Sequence, residues 1–179
     1  RVAADLSRHD RIGRRKGYRG CNQYYEGKPT LTKRAFDILV SVAGLIVLLP
    51  LLLLVATAIK LDSTGPVFFR QWRVGRRFRR FGIYKFRTMI DDAFDRGLPI
   101  TVGQDSRITR VGKILRKTKI DELPQLLNVL KGDMSLVGPR PERPEFVRDL
   151  TREIPFYGQR HVVRPGITGW AQVRYTYGA

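Results

Sequence analysis

Ile38 to Ile59 reads ILVSVAGLIVLLPLLLLVATAI, 22 residues without a charge in a chain whose formal net charge is +18. At ~1.5 Å per residue a straight helix of that length would be roughly 33 Å long, about the thickness of a bilayer's hydrocarbon core. So long an apolar run is hard to hide in a domain this small, and membrane contact is the first expectation. A cleavable signal peptide does not fit: the run starts late, is longer than the usual apolar core, and has no small-residue cleavage pattern behind it.

Pro50 sits near the middle of the run, where it removes a backbone donor and crowds the preceding turn, so a kink is expected there. Residues 1–34 carry ten Lys or Arg against Asp5, Asp10 and Glu26, and residues 60–87 carry nine against Asp62 alone. A single span would place one of these clusters on the side that the positive-inside rule disfavours. A helix that enters, bends near Pro50 and leaves by the same face keeps both clusters together; an ordinary kinked span is the competing reading. Ser41 either returns its hydroxyl to a carbonyl one turn earlier or simply packs as a small residue. The flanking cations fall at headgroup depth, where anionic lipid attracts each by roughly 1 kcal/mol.

The 179 residues suffice for one compact domain plus a membrane element. Cys21 is the single cysteine, and His9 and His161 are too far apart to suggest a zinc site. Any bound metal should therefore be a hard cation held by carboxylate and phosphate oxygens. Net charge alone does not choose between nucleic acid, anionic lipid and a phosphorylated substrate.

Thr32 is placed to cap the membrane helix, and Asp62-Ser63-Thr64-Gly65-Pro66 is a dense turn signal that ends it. Val67–Val74 and Phe81–Met89 read as two strands of a short ribbon, with Lys85 and Arg87 on one face and Tyr84 and Phe86 on the other. Asp91–Gln104 reads as a loop. Arg107–Ile120 reads as a basic helix with apolar Ile108, Val111, Ile114 and Leu115, lying either in the interface or on the domain core. In DELPQLLNVLKGDMSLVGPRP, which starts at Asp121, Leu123, Leu126, Leu127 and Leu130 have the spacing of a buried helical stripe, with Lys131 and Gly132 closing it. A further short helix is expected from Glu145 to Ile154, using Phe146, Leu150 and Ile154.

Asp121 and Glu122 stand at or just before that helix start, where free amides favour a carboxylate or a phosphate. A capping role is the ordinary reading of such residues; a catalytic pair is the sharper one. Gly138-Pro139-Arg140-Pro141 holds a guanidinium in a stiff backbone, suited to bidentate phosphate contact or to a surface salt bridge. Glu142 and Arg143 are further polar candidates. Arg164-Pro165-Gly166-Ile167-Thr168-Gly169-Trp170 is a second constrained basic turn. There is no Walker sequence and no dinucleotide fingerprint, which argues against a kinase or a Rossmann enzyme.

Taken in order, KRAFDILVS, Pro50, DSTGPVFFRQWRVG, YKFRTM, KIDELPQLLNVLKGDMSLVGPRPE and RPGITGWAQV resemble the bacterial monotopic phosphoglycosyl transferases, the bacterial sugar transferases that begin exopolysaccharide or O-antigen synthesis. The resemblance implies an α-helix-rich monotopic membrane protein: a basic linker over residues 1–32, a kinked re-entrant helix over 33–60, and a compact cytoplasmic catalytic domain over 61–179 with interfacial helices and a short β-ribbon. It also implies a C-terminal segment that residues 61–179 lack. The implied reaction moves a sugar 1-phosphate from a nucleoside-diphosphate sugar, UDP-linked by resemblance, to polyprenol (undecaprenyl) phosphate at the cytoplasmic face of the bacterial inner membrane. Asp121 matches the carboxylate nucleophile that forms a phosphoryl-Asp intermediate, and Glu122 matches its companion acid, the two together placing Mg2+. Arg140 matches the phosphate-contacting arginine. Lys85 and Arg87 match basic residues assigned to substrate phosphate or to acidic partners of the core, and Arg143 and Arg164 are kept with them as phosphate or substrate contacts. Pro50 matches the helix-breaking position of the anchor, though Leu49 precedes it where some relatives have serine, which leaves Ser41 as the only serine of the run. Anionic lipids are expected partners, a homo-oligomer is left open, and nucleic acid is not expected. The competing class is a cationic membrane- or nucleic-acid-binding module without chemistry.

Overall fold

A computed structural model of the chain describes residues 30–90 and 105–174. The linker reading of the first 29 residues and the loop reading of Asp91–Gln104 lie outside the described residues. Helix α1, Leu31–Asp62, covers the whole apolar run in one element of 32 residues with Pro50 inside it. It begins one residue before Thr32: Thr30 is the N-cap, and its side chain makes no capping bond. Its end is closed by Ser63 N–H donating to Ile59 O at 3.1 Å.

One stripe of α1 faces the rest of the molecule. Near its start, Asp37 is buried, accepting from Ser135 Oγ at 2.8 Å and from the Leu136 amide at 3.2 Å, while Lys33 also reaches Ser135 Oγ. Arg34 donates to Val129 O and Leu130 O at 2.6 and 2.9 Å. Near its end, Val55 and Ile59 form a core with Phe86 and Leu115. The opposite stripe is apolar and open: Leu39, Val47 and Leu54 are 69, 75 and 66 % exposed. Ser41 belongs to the covered stripe, and its buried hydroxyl has no hydrogen-bond partner. Of the two readings of Ser41, packing as a small residue is the one seen; on α1 a bond to a carbonyl one turn back is made by Thr57, to Leu53 O at 3.0 Å.

Strands β1, Phe68–Val74, and β2, Arg80–Phe86, pair antiparallel with Phe68 opposite Phe86 and Val74 opposite Arg80. The second strand stops three residues short of Met89, which bridges to Ile108. Phe81 and Ile83 enter a second core with Val129 and Met134. On the other face Gly82 leaves room for the Arg70 side chain, whose guanidinium lies over Trp72 and Tyr84.

Helix α2, Arg110–Thr118, is capped by Thr109, whose hydroxyl accepts from the Gly112 amide, and by Asp62 from the end of α1, whose carboxylate accepts from the Val111 amide at 2.9 Å. It packs through Leu115 and Val111 and leaves Ile114 63 % exposed, so the core-packed reading holds for one side of it. Lys119 then adopts a left-handed turn (φ 61°), and Ile120–Gln125 winds as a 3-10 segment before helix α3, Leu126–Lys131, which ends at Gly132 in the left-handed region.

That 3-10 segment overturns the leucine stripe. Three residues per turn instead of 3.6 rotates the following face, so the buried positions are Gln125, Leu126, Asn128 and Val129, while Leu127 is 38 % exposed. Two further elements are short strands missed by the sequence: β3, Ser135–Val137, pairs parallel with β4, Gly166–Thr168. Helix α4, Pro144–Glu153, buries Val147 rather than Phe146 and Ile154. Helix α5, Trp170–Arg174, follows β4.

Candidate active site

The turn at Lys119 and the tight winding after it aim Asp121 and Glu122 inward. Asp121 is 8 % exposed, and its Oδ1 is buried with no hydrogen-bond partner. Burial raises its pKa, opposed by Lys85, while the neighbouring Glu122 charge raises it further. Glu122 is held differently. Its Oε1 accepts from Lys85 Nζ at 2.7 Å and from Arg140 Nη2 at 2.9 Å. Burial alone would push Glu122 upward, but Lys85 and Arg140 outweigh it and bring the carboxyl down to about 2. Lys85 is in turn lowered by burial, against the opposing pull of Glu122. Two adjacent carboxylates thus have opposite tendencies, the usual sign of divided roles.

Each side chain has a structural reason for its position. Lys85 lies on the same strand face as Ile83 and Phe81, so packing of those two against Val129 and Met134 brings the ammonium over Glu122. Strand β2 is pinned to α3 by Asn128, fully buried, which accepts from the Tyr84 amide at 2.9 Å and donates to Gly82 O at 2.8 Å. Arg140 comes from the loop after β3.

Of the other residues singled out in the sequence, Arg87 goes elsewhere. It is 6 % exposed and donates to Ser63 O and Oγ at 2.8 and 2.9 Å, at the carbonyl end of α1, where the helix dipole favours a cation. Lys85 and Arg87 therefore do not share one phosphate-facing site. Arg143 lies over the Phe146 ring and near Glu145 (3.5 Å), within electrostatic reach of Arg73. Arg164 has Arg34, Arg76 and Asp37 as its charged neighbours, on the side where α1 begins. Pro50 is exposed on α1.

Three site residues escaped the sequence reading. Arg116 donates to Thr88 Oγ1 at 2.9 Å; burial lowers its pKa and Asp121 opposes that shift, so Arg116 lies within electrostatic reach of that carboxylate. Its place five residues before Asp121 was the available signal. Arg73, lowered by burial and in the field of Glu142 and Glu122, extends the cationic wall on the Arg140 side. Asn128 stands among the leucines after Asp121, and nothing in the sequence marks its strand partner.

Among the described residues no three His, Cys, Asp or Glu side chains converge as metal ligands. The buried, unpartnered Oδ1 of Asp121 is nonetheless a hard oxygen suited to a cation such as Mg2+, which commonly takes one or two carboxylates and fills its shell from phosphate and water. The arrangement of one uncommitted carboxylate oxygen amid Lys85, Arg116 and Arg140 is suited to holding a dianionic phosphate next to a nucleophile.

The chain resembles known proteins over most of its length. The family described as Bacterial sugar transferase matches residues 28–179. A UDP-N-acetylgalactosamine-undecaprenyl-phosphate N-acetylgalactosaminephosphotransferase of Aeromonas hydrophila is 56 % identical over 147 residues, 82 % of this chain and 35 % of that protein. An exopolysaccharide production protein, PSS, of Rhizobium leguminosarum bv. phaseoli is 54 % identical over 79 % of this chain and 73 % of that protein. A UDP-glucose:undecaprenyl-phosphate glucose-1-phosphate transferase of Escherichia coli is 44 % identical over 82 % of this chain and 32 % of that protein. The chain spans about a third of the first and last of these. With that family's model matching residues 28–179, the chain belongs to the bacterial sugar transferase family.

Proposed function

We propose that this chain transfers a sugar 1-phosphate from a UDP-sugar to undecaprenyl phosphate through a phosphoryl-Asp121 intermediate. The observation that carries the reading is the pairing of a buried Asp121 oxygen without a partner and a Glu122 held by two cations. In the first step Asp121 attacks the sugar-proximal phosphorus, and the bond from that phosphorus to the bridging oxygen breaks. Uridine monophosphate leaves with that oxygen. In the second step a phosphate oxygen of the polyprenol attacks the same phosphorus, and Asp121 departs as a carboxylate. Arg140 and Lys85 can turn from Glu122 to the arriving phosphate oxygens, and Arg116 supports the carboxylate side. Mg2+ held by Asp121, with Glu122 next to it, would supply countercharge to the diphosphate.

The relatives carry names for both N-acetylgalactosamine and glucose, so the donor is chosen by assay across UDP-sugars. Their names also give no support to a binding module without chemistry. A re-entrant anchor at the cytoplasmic face of the inner membrane is supported by the seating of α1: residues 33–37 and 55–59 both bind the same domain, so both ends belong on one side of a bilayer. The open apolar stripe between them is then free to enter one leaflet.

Purified chain in detergent, given Mg2+, undecaprenyl phosphate and a panel of radiolabelled UDP-sugars, should release uridine monophosphate and form labelled lipid with one of them. Asp121→Asn should form neither lipid product nor a labelled protein adduct. Unchanged turnover by that variant would remove Asp121 as the nucleophile.

A further inference from the structure

Arg140 is held by more than its prolines. Four consecutive carbonyls of its loop are captured from four different directions. Pro139 O accepts from the Gly166 amide at 3.0 Å, and Glu142 O from the Val74 amide at 2.9 Å. Between them, Arg140 O accepts from Arg160 Nη2 at 2.7 Å and Pro141 O from Arg73 Nη1 at 3.2 Å. Arg160 is itself fixed: its Nη1 donates to the Tyr157 hydroxyl at 2.6 Å, its guanidinium lies 4.9 Å from that ring's centre, and Glu142 stands 3.9 Å away. The 3-10 segment that carries it, Tyr157–His161, is seated by His161 against Gly75 O.

We infer that Arg160 is a positioning residue for the reaction and acts through Arg140. It grips the peptide oxygen of the residue whose side chain holds Glu122, at the one carbonyl where a shift would move the Arg140 guanidinium most directly. A charge-assisted bond of 2.7 Å to a neutral carbonyl is a stronger restraint than the backbone bonds at Pro139 and Glu142. The Arg140 side chain can therefore exchange Glu122 for a phosphate by rotating, with its own backbone fixed. Nothing places Arg160 against the reacting atoms. The inference rests on the proposed role of Arg140 in phosphate binding.

A double-mutant cycle tests it, read in two ways: kcat/KM for sugar-phosphate transfer, and affinity for UDP without lipid acceptor. Arg160→Ala should lose about 10- to 100-fold in kcat/KM, the worth of one charged hydrogen bond. In an Arg140→Ala background the same substitution should lose less than about twofold, because the group it positions is gone. Arg160→Lys should recover part of the loss in the Arg140 background alone. Equal losses from Arg160→Ala in both backgrounds, in both readouts, would overturn the inference and leave Arg160 a general stabiliser. If Arg160→Ala does not fold, Tyr157→Phe removes only the acceptor that orients Nη1, and the same cycle is run with it. If the unsubstituted chain transfers no sugar phosphate, the proposed function fails, and the UDP cycle alone decides the role of Arg160.

Discussion

Asn128 gives the sharpest stability test, because a single buried side chain closes the gap between β2 and α3. Asn128→Ala strands the Tyr84 amide without its acceptor and the Gly82 carbonyl without its donor, both previously paired at 2.8–2.9 Å. Each buried group left unsatisfied costs about 1–3 kcal/mol, so the pair should cost ~2–6 kcal/mol. That is a large share of the ~5–15 kcal/mol that holds a typical domain. Asn128→Asp separates the hydrogen-bond account from one of volume: it keeps the Tyr84 acceptor but turns a carboxylate toward Gly82 O and toward Asp133, whose Oδ2 is 3.4 Å from the present amide nitrogen. It should therefore also be strongly destabilised, although it is almost isosteric. Denaturant unfolding in a fixed detergent, followed by tryptophan fluorescence, reads both. A loss below about 0.5 kcal/mol for both variants would refute the account of Asn128 as the pin between strand and helix.

Phe86 lies under Val55 and Ile59 of α1, and Phe86→Ala should cost about 3–5 kcal/mol and make the end of the anchor helix accessible to proteolysis; an unchanged digestion pattern would contradict this seating. His161 is buried, and burial lowers its pKa to about 4 against the Gly75 bond that raises it. The unfolded chain takes up that proton below about pH 6.5 and the folded chain only near 4, so stability should be complete above about 6.5 and fall as pH drops toward 4. His161→Gln should flatten that slope, and an identical slope in the variant would show that other groups cause it.

The long apolar helix, the paired ribbon and the position of the two acids were legible because each is a local signal: an uncharged run, two β-rich stretches across a turn, and adjacent acids before a closing Lys-Gly. The identity of the buried positions after Asp121 was not, since the same leucines fit a 3.6-residue period whether or not a 3-10 segment precedes them. Strands β3 and β4 are three residues each and separated by about thirty in sequence, so neither has a period of its own and only their pairing defines them. Arg87 and Lys85 look equivalent in YKFRTM, yet the strand ends at Phe86, and the residue past it turns to the end of α1. Asp37 was hidden for a related reason: standing one position before the apolar run, it reads as a flank, and its partners Ser135 and Leu136 lie about a hundred residues away.

Asp62 is the last residue of α1 and caps α2 with its carboxylate, and α2 leads within a few residues to Asp121. A displacement at the end of α1 is therefore carried, through this one carboxylate, to the first turn of the helix that holds Arg116.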